Sequence, residues 1–292
     1  MYVVLGGTGH VGSAVVRTLV QQGERPVVVT HDAKKVEAIN AAGGEAAVVD
    51  VLNVDNLKAV LRQGRRAYLL NPPAPPHVDT DAEEKKTVAA LVAALAGSGL
   101  EKVVVHSTYG ARPADGVGDL GVLHDLEQGV AASGIPAATL RAAYYFSNWD
   151  GALEKARAEG VIDTMFPADF ALPMVSPDDL GSAGARLLSG PLGDKDIHYV
   201  EGPRRYSSAD VAAAFARALD RPVRVATTPR DQWDQAFRGL GFSAPAAAAY
   251  VRMTAATLDD GDFPPVEAVE RGQTTLDSHV QALVDDALKA GA

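Results

Sequence analysis

Cysteine is absent from the 292 residues of the sequence. Disulfide bonds, thiolate metal ligands and a cysteine nucleophile are therefore excluded. Basic residues are also in deficit, because 27 lysines and arginines stand against 37 acidic residues and give a formal net charge of −10. Nucleic-acid binding relies on clustered positive charge, so we expect no nucleic-acid partner.

Long hydrophobic runs are missing as well. No apolar stretch reaches the ~20 residues that a bilayer-spanning helix needs, and no signal-peptide pattern precedes the apolar run that starts at residue 2. We therefore expect a cytoplasmic protein that does not bind a membrane. The seven histidines show no H-x-x-x-H or similar spacing, so we expect no metal site.

A glycine-rich turn is the most informative stretch that is present. Residues 6–12 read G-G-T-G-H-V-G and lie between an apolar run at residues 2–5 and a helical pattern. The glycines fit both G-x-x-G-x-x-G and G-x-G-x-x-G, which are spacings of loops that hold a dinucleotide pyrophosphate at a helix N-terminus. A plain tight turn is the alternative, but the strand-then-helix context favours the nucleotide. The predicted phosphate contacts are Gly6, Thr8, Gly9, His10, Val11 and Gly12.

The end of the second predicted strand, residues 25–30, selects between NAD and NADP in such a unit. An acid there binds the ribose hydroxyls of NAD, whereas a basic group accommodates the 2′-phosphate of NADP. His31 takes that position and Lys35 follows one helical turn on, so NADP(H) is favoured. A shift of one residue would place Asp32 there instead, which keeps NAD(H) open; the alternative role of Asp32 is a helix cap.

Two further strand ends complete the predicted cofactor site. Asp50 and Val51 follow the third predicted strand and are candidates for contact with the adenine, with capping and turn formation as the alternative for Asp50. Asn71 and Pro72 open a proline-rich loop, residues 71–76, after the fourth strand. Proline fixes the backbone and bars both helix and sheet, so we expect a stiff loop that lines the nicotinamide side of the crevice.

The fifth predicted strand, residues 102–107, ends at the sheet edge where α/β enzymes place their chemistry. Ser107 and Tyr109 are candidates for hydrogen bonds to a substrate oxygen. His124, in the next predicted helix, is a candidate proton donor near neutral pH. The alternatives are a turn-capping serine, a packed tyrosine ring and a surface histidine.

Alternating strands and helices predict an α/β fold with a Rossmann-type doubly wound parallel sheet and a smaller, helix-rich C-terminal lobe. The alternation stops after Arg141. We assign residues 1–146 to an NAD(P)-binding domain, to which residues 176–200 return. Residues 147–175 and 201–292 are assigned to the substrate lobe.

An aromatic segment, residues 144–149 or Y-Y-F-S-N-W, opens the lobe. Its rings form either an apolar wall for a planar substrate or part of the lobe core. Tyr144, Tyr145 and Asn148 are the candidate substrate contacts. We therefore expect a small, planar or aromatic molecule as partner, and the sequence leaves a homodimer open.

Five segments, taken in order, resemble the NmrA-like group of atypical short-chain dehydrogenase/reductases. They are LGGTGHVG, HSTYGA, SGIPAATLRAAYYFSNW, VSPDDLG and YVEGPRRYSSADVAAAFARALDRPV, and the similarity spans nearly the whole chain. The resemblance implies an NAD(P)-binding Rossmann domain with a C-terminal substrate lobe, and it extends to the NADPH-dependent quinone oxidoreductases of that group. His31 falls where many relatives carry an arginine for the 2′-phosphate. Asn148 falls at the asparagine of an aromatic-Glu-Asn motif whose glutamate is Ser147 here.

The sequence departs from its relatives in the catalytic residues. Typical short-chain dehydrogenases use Tyr-x-x-x-Lys, in which the lysine lowers the tyrosine pKa, and no such pair exists here. Relatives often keep a lysine in the helix after the fifth strand, and Leu123 occupies that position. A quinone or similar small carbonyl compound still accepts hydride readily, because the cofactor carries the chemistry.

Three functions follow from this resemblance. We expect an NAD(P)H-dependent oxidoreductase, NADPH-linked and similar to quinone reductases. The alternative is a non-catalytic regulator that senses NADP, which the missing tyrosine-lysine pair would fit. Reduction of a specific carbonyl, ether or imine, as in isoflavone-reductase-like relatives, is disfavoured because those relatives keep the helix lysine.

Overall fold

Eight parallel strands form the main sheet of the protein, described here from a computed structural model over residues 1–261 and 263–290. The strands are β1 (Tyr2–Val4), β2 (Val27–Thr30), β3 (Glu45–Val48), β4 (Arg66–Leu69), β5 (Lys102–Thr108), β6 (Ala137–Ala142), β10 (Ile197–Glu201) and β12 (Val269–Arg271). Their order across the sheet is β3-β2-β1-β4-β5-β6-β10-β12. The predicted doubly wound parallel sheet is confirmed, and the order reverses between β1 and β4.

Helices cover both faces of this sheet. They are α1 (His10–Gln21), α2 (Val36–Ala41), α3 (Val54–Leu61), α4 (Thr80–Leu95), α5 (Asp119–Ala132) and α7 (Pro177–Ser189). Helix α1 packs against α7 on one face, while α3, α4 and α5 pack together on the other. This three-layer arrangement buries both faces, as parallel sheets require.

Alternation along the strands divides the core in two. Val3 and Val4 are neighbours in β1 and are fully buried on opposite faces. Val3 packs in the cluster that contains Leu91 of α4, and Val4 packs in the cluster that contains Val15 of α1. Successive strand residues point to opposite faces, so a continuous apolar strand is the sequence that such a doubly covered sheet needs.

Side-chain caps set where several helices begin. The Asn53 side chain accepts a hydrogen bond from the Asn56 amide at the start of α3. The Ser176 hydroxyl accepts one from the Asp178 amide at the start of α7, where Pro177 holds the first helical position. These caps satisfy amides that have no partner inside the helix.

A second, smaller core lies in the lobe. Its elements are β7 (Tyr144–Tyr145), α6 (Leu153–Glu159), β8 (Val161–Thr164), β9 (Met174–Val175), α8 (Ser208–Ala218), β11 (Arg224–Thr227), α9 (Trp233–Gly239), α10 (Ala244–Asp260) and α11 (Leu276–Ala290). β7 pairs with β9 and β8 pairs with β11, both in parallel. Phe146, Trp149 and Phe215 are buried in this core.

One segment lies elsewhere than the sequence indicated. All of residues 201–292 were assigned to the lobe, whereas β12 pairs with β10 at the edge of the main sheet. Its three residues, V-E-R, contain no apolar run that would mark a strand. None of the helices in the described part of the chain is both long enough and apolar enough to cross a membrane.

Candidate active site

The glycine turn lies at the carboxyl end of β1, where the strand order reverses. Open α/β sheets bind their ligands at this switch point. Gly6 has φ +68°, a left-handed conformation that glycine adopts without strain, and its carbonyl accepts a hydrogen bond from the Gly9 amide at 3.0 Å. A Cβ on Gly12 would overlap the Gly6 carbonyl and lie 2.8 Å from the Gly7 Cα, so α1 packs this closely only with glycine there.

The residues of this turn fit a dinucleotide phosphate. A Cβ on Gly9 would meet only the Gly6 carbonyl oxygen, at 3.5 Å, so space is open beside that residue. Helix α1 begins at His10 and has neither a side-chain cap nor an acid in its first turn, which leaves its first amides available to an anion. His10 is exposed, whereas Val11 is buried and offers its backbone only.

A lysine from the next helical segment reaches this turn. The Lys35 ammonium donates a hydrogen bond to the Thr8 hydroxyl at 3.1 Å, and both side chains retain solvent exposure. Lys35 therefore brings a positive charge to the predicted pyrophosphate position as well as to the neighbourhood of the ribose. The fit to a phosphorylated ligand rests on this charge and on the free amides together.

The residues after β2 separate into a cap and an exposed side chain. The Asp32 carboxylate accepts a hydrogen bond from the Lys34 amide at 2.9 Å, so the predicted capping role of Asp32 is confirmed. His31 is exposed directly after Thr30 and extends to solvent at the edge of the sheet. The contact of His31 with a ribose 2′-substituent stays a prediction.

The ends of β3 and β4 are built differently. Asp50 is exposed and its carboxylate accepts from the Leu52 amide at 3.0 Å, which is a turn-forming contact; Val51 beside it is half-buried.

Asn71 is 9% exposed, and its Oδ1 has no hydrogen-bond partner in the described part of the chain. Pro72, which follows, is half-buried. A buried amide oxygen without a partner suits a ligand that carries an N–H donor, and the nicotinamide carboxamide is such a group.

A cleft of about 840 Å³ opens between the sheet edge and the lobe. The carboxyl ends of β5 and β6 contribute Thr108, Tyr109, Ala142 and Ala143 to it, so the cleft and the glycine turn lie at the same edge of the sheet. Most of its lining is apolar, and its volume suits a drug-sized or dye-sized molecule. All three predicted substrate residues line it, namely Tyr144, Tyr145 and Asn148.

Aromatic rings form much of the cleft lining. The Tyr144 ring packs edge-on against Phe166 at 5.9 Å and against Trp149 at 6.2 Å between centroids. From α9 and α10, the rings of Phe237 and Tyr250 pack edge-on at 5.6 Å. Burial raises the pKa of Tyr144 to about 12, so its hydroxyl stays protonated. Flat aromatic faces of this kind favour a planar ligand.

The charged groups at the cleft are largely paired with one another. Arg112 donates to Asp260 at 2.5 Å, and Lys155 donates to Asp163 at the same distance. Among the described residues of the lining, these two pairs leave Asp119, at the start of α5, as the remaining carboxyl group.

A second carboxyl group lies behind Asp119. Glu84 of α4 is 4% exposed, and it accepts from the Ala74 amide in the proline-rich loop at 2.9 Å. Burial raises the pKa of both carboxyl groups, and each lies close enough to influence the other. The two side chains therefore retain a proton at pH values where an exposed carboxyl group has lost it.

Ser107, a predicted catalytic residue, has a structural environment. It is fully buried, and its hydroxyl donates to the Glu127 carboxylate at 2.5 Å. Glu127 in turn accepts two hydrogen bonds from Arg141, at 2.7 and 2.9 Å. Ser107 does not line the cleft among the described residues, so the geometry favours a role in tying β5 to α5 and β6.

Tyr109 lines the cleft with its ring, which packs edge-on against Tyr199 at 5.3 Å between centroids. Burial and the neighbouring Glu201 raise the pKa of Tyr109 far above its ordinary value. Glu201 is itself fully buried and accepts hydrogen bonds from Arg205 and Arg271. The Tyr109 hydroxyl lies beside this ion cluster, which suits a packing and positioning role more than proton donation.

His124, the third predicted catalytic residue, is half-buried, and its Nδ1 has no hydrogen-bond partner in the described part of the chain. Leu123 lines the cleft instead. Adjacent helical residues point about 100° apart, so one of the two faces the cleft and the other does not. The position at which the resemblance implies a lysine in many relatives is therefore at the cleft, and it is apolar here.

His106 is a residue of the site that was not predicted from the sequence. This residue is 3% exposed in β5, and its Nδ1 lies 2.6 Å from the Tyr68 hydroxyl. Its Nε2 lies 2.5 Å from the hydroxyl of Tyr145, which lines the cleft. Burial lowers the pKa of His106 to about 4. A histidine inside an apolar strand was the available signal, because a buried imidazole needs polar partners.

Comparisons with known proteins agree with this architecture. Residues 2–275 match the sequence profile of the NmrA-like family. The NAD(P)H azoreductase of Xenophilus azovorans is 28% identical over 249 residues, which are 82% of this chain and 82% of that protein. The structure superposes on the NADPH-dependent quinone oxidoreductase of Escherichia coli in complex with NADPH (TM-score 0.78, 19% identity, 97% and 99% of the two chains). It also superposes on the triphenylmethane reductase of a Citrobacter species in complex with NADP(H) (TM-score 0.79, 16% identity, 97% and 99%). The chain thus belongs to the NmrA-like family.

Proposed function

We propose that the protein is an NADPH-linked oxidoreductase that reduces a quinone or a similar planar, conjugated small molecule. One observation carries the proposal: an aromatic-lined cleft of about 840 Å³ opens at the same sheet edge as the glycine turn. A protein that only sensed the nucleotide would not need a second large apolar cleft beside it.

The named activities of its relatives support this proposal. The Xenophilus protein is named for reduction of azo compounds, and the Escherichia coli and Citrobacter proteins for quinones and triphenylmethane compounds. Quinones, azo compounds and triphenylmethane compounds are all conjugated molecules with flat rings. The rings of Tyr144, Trp149 and Phe166 give the cleft a surface on which such molecules pack.

The residues of the sheet edge would hold the cofactor, which supplies a hydride when bound. The amides that follow Gly9 would bind its pyrophosphate, and Lys35 would add a positive charge there. His31 would lie at the 2′-phosphate. The Asn71 amide oxygen would accept a hydrogen bond from the carboxamide.

This chain reduces its acceptor without a Tyr-x-x-x-Lys pair. The apolar lining, Leu123 included, excludes water from the acceptor and strengthens the remaining polar contacts. The hydroxyls of Tyr144 and Tyr145 stay protonated because burial raises the pKa of both, so they act as hydrogen-bond donors.

The test is to measure binding of NADPH and NADH by nicotinamide fluorescence, and then oxidation of NADPH by its near-ultraviolet absorbance. The acceptors are a panel of quinones, azo dyes and aldehydes. We expect tighter binding of NADPH and turnover with quinones or azo dyes. Binding of NADPH with no oxidation across the panel would support the NADP-sensing alternative, and binding of neither nucleotide would overturn both.

A matched pair of variants locates the acceptor. Ala256 on α10 lines the cleft, whereas its half-buried neighbour Ala255 does not. We expect Ala256→Trp to raise the KM for the acceptor at least tenfold by filling the cleft, with NADPH binding unchanged. Ala255→Trp should alter neither, and equal effects of the two substitutions would place the acceptor elsewhere.

A further inference from the structure

A row of three polar groups runs across the sheet to the cleft: the buried Tyr68 hydroxyl, the buried His106 imidazole and the half-buried Tyr145 hydroxyl. The two oxygen-to-nitrogen distances are 2.6 and 2.5 Å. Tyr68 and His106 lie on the adjacent strands β4 and β5, and Tyr145 lies on β7 at the start of the lobe. The row therefore links the core of the main sheet with the cleft lining.

The imidazole in the middle of the row is neutral at physiological pH. Burial lowers the pKa of His106 to about 4, because a buried cation loses its hydration. A neutral imidazole carries one proton, on either Nδ1 or Nε2, and the other nitrogen accepts a hydrogen bond. The direction of both hydrogen bonds in the row thus depends on the position of this single proton.

Tyr68 decides that position. Its side chain is fully buried, and in the described part of the chain its hydroxyl has His106 Nδ1 as its hydrogen-bond partner and no other. If Nδ1 carried the proton, the Tyr68 O–H would be left without an acceptor, at a cost of about 1–3 kcal/mol. The Tyr68 hydroxyl therefore donates to Nδ1, and the imidazole proton lies on Nε2.

The consequence for Tyr145 follows directly. Its hydroxyl oxygen accepts the hydrogen bond from Nε2–H, so its own proton is not used in the row. His106 is the partner of that hydroxyl among the described residues, and the Tyr145 side chain lines the cleft. Burial and the nearby Asp119 raise the pKa of Tyr145, so the hydroxyl keeps its proton.

We propose that the Tyr145 hydroxyl donates a hydrogen bond to the acceptor atom on which negative charge develops, and that His106 and Tyr68 are its positioning residues. This proposal rests on the proposed reductase function. The acceptor gains one hydrogen with two electrons from the dinucleotide, which is oxidised. The negative charge left on the acceptor oxygen or nitrogen is stabilised by the Tyr145 O–H, and a proton from water then neutralises it.

The first test needs neither turnover nor a cleft variant. Nitrogen-15 NMR distinguishes a protonated from an unprotonated ring nitrogen, and comparison with His106→Gln assigns the His106 signals. We expect the proton on Nε2 and a neutral ring at pH 6, where an exposed histidine is largely charged. A proton on Nδ1 would reverse the direction of both hydrogen bonds in the row. The Tyr145 hydroxyl would then donate to Nε2 instead of to the acceptor, which would overturn the proposal.

The second test reads the hydrogen bond in the cleft. Infrared difference spectra of 1,4-naphthoquinone, bound together with oxidised NADP, report the carbonyl stretch in the absence of turnover. We expect a carbonyl shifted to lower frequency in the native protein, and loss of that shift in Tyr145→Phe. Tyr2→Phe is the matched control, because Tyr2 lies on β1 away from the cleft lining. A shift that survives in Tyr145→Phe, or failure of the quinone to bind the native protein, would overturn the proposal.

Kinetics separate this inference from the proposed function. If the protein reduces quinones, Tyr145→Phe should lower kcat about 100-fold with little change in KM, while Tyr2→Phe leaves both unchanged. An unchanged kcat in Tyr145→Phe would refute the role of Tyr145 and leave the reductase function standing. A shifted carbonyl in a protein that never oxidises NADPH would refute the reductase function and leave the hydrogen bond standing.

Discussion

The two halves of the candidate site are formed by different parts of the chain, one by backbone and the other by side chains. The predicted cofactor site, which we call the cradle, is formed by backbone. It consists of the turn at residues 6–12, the first amides of α1 and the strand ends beside them. The acceptor cleft is formed by side chains, namely aromatic rings and hydroxyl groups from β5, β7, α9 and α10. Backbone amides recognise a phosphate through their direction, which a local turn fixes. Side-chain walls recognise shape, which depends on segments brought together by the whole fold.

The two halves of the site are therefore sensitive to different substitutions. At Gly12 a single added methyl group would overlap the turn, because the two backbone segments are already in contact there. The cleft tolerates changes of shape but depends on which of its polar groups hold protons. Substitutions at three places test this contrast, and they are given in order of decreasing expected effect.

The largest effect is expected in the cradle. Gly12→Ala should lower the free energy of unfolding by about 3 kcal/mol or more and abolish NADPH binding, because the new Cβ would overlap the Gly6 carbonyl. Gly9→Ala should lower NADPH affinity at least tenfold and leave stability nearly unchanged, since its Cβ meets only one atom, at 3.5 Å. Urea unfolding and fluorescence titration measure the two effects.

Gly193→Ala is the control for both substitutions, because a Cβ there would meet nothing within 4 Å. If Gly9→Ala lost stability as severely as Gly12→Ala, the space beside Gly9 would not be the phosphate position. Equal NADPH affinity in Gly9→Ala and the native protein would lead to the same conclusion.

The next effect concerns the protonation of Glu84, the buried carboxyl group behind the cleft. Burial and Asp119 raise the pKa of Glu84 from its ordinary value to about 8, so between these two values the folded state holds a proton that the unfolded state has lost. Stability therefore falls as pH rises from about 5 to 8, by at most roughly 1.4 kcal/mol per pH unit. Glu84→Gln should flatten this slope, because the amide oxygen still accepts from Ala74 and carries no proton to lose.

Denaturant unfolding at several pH values checks this. Glu83→Gln on the same helix is the control, because the Glu83 side chain is 42% exposed and contacts Lys86 at the surface. A slope that remains unchanged in Glu84→Gln would show that the carboxyl group is ionised in the folded protein.

The smallest effect is a change of cofactor preference. His31→Asp should shift the ratio of NADPH to NADH affinity towards NADH by about tenfold, because a carboxylate repels the 2′-phosphate and accepts from ribose hydroxyls. Gln22→Asp adds the same charge at the exposed end of α1 and should leave the ratio unchanged. Fluorescence titrations with both nucleotides measure the ratio; if His31→Asp left it unaltered, another residue would contact the ribose.

The sequence allowed prediction of the cradle because its signals are local. The glycine spacing and the helix caps act over two or three positions, and the alternation of strands and helices indicates the sheet. Asp32 shows the same rule, since its capping hydrogen bond spans two residues. Such features follow from elementary backbone geometry and need no knowledge of distant contacts.

The cleft could not be predicted in the same way. Tyr68, His106 and Tyr145 meet across separations of 38 and 39 residues, and no local pattern indicates their pairing. Ser107 was chosen for its place at a strand end, but it is the residue beside it, Thr108, that lines the cleft. A difference of one position reverses the face of a strand, which single-sequence reasoning does not resolve.

The position of β12 shows how the lobe is connected to the main sheet. Tyr199 of β10 lies opposite Val269 of β12 in a parallel pair, so the chain leaves the carboxyl edge after residue 201 and must come back to the amino edge before residue 269. Residues 202–268, with α8, α9 and α10, are thus one greatly enlarged crossover between neighbouring strands. The part of the cleft that comes from α9 and α10 is a single continuous insert anchored in the sheet at both ends. Changes within this insert would therefore alter the cleft and leave the glycine turn at the end of β1 in place.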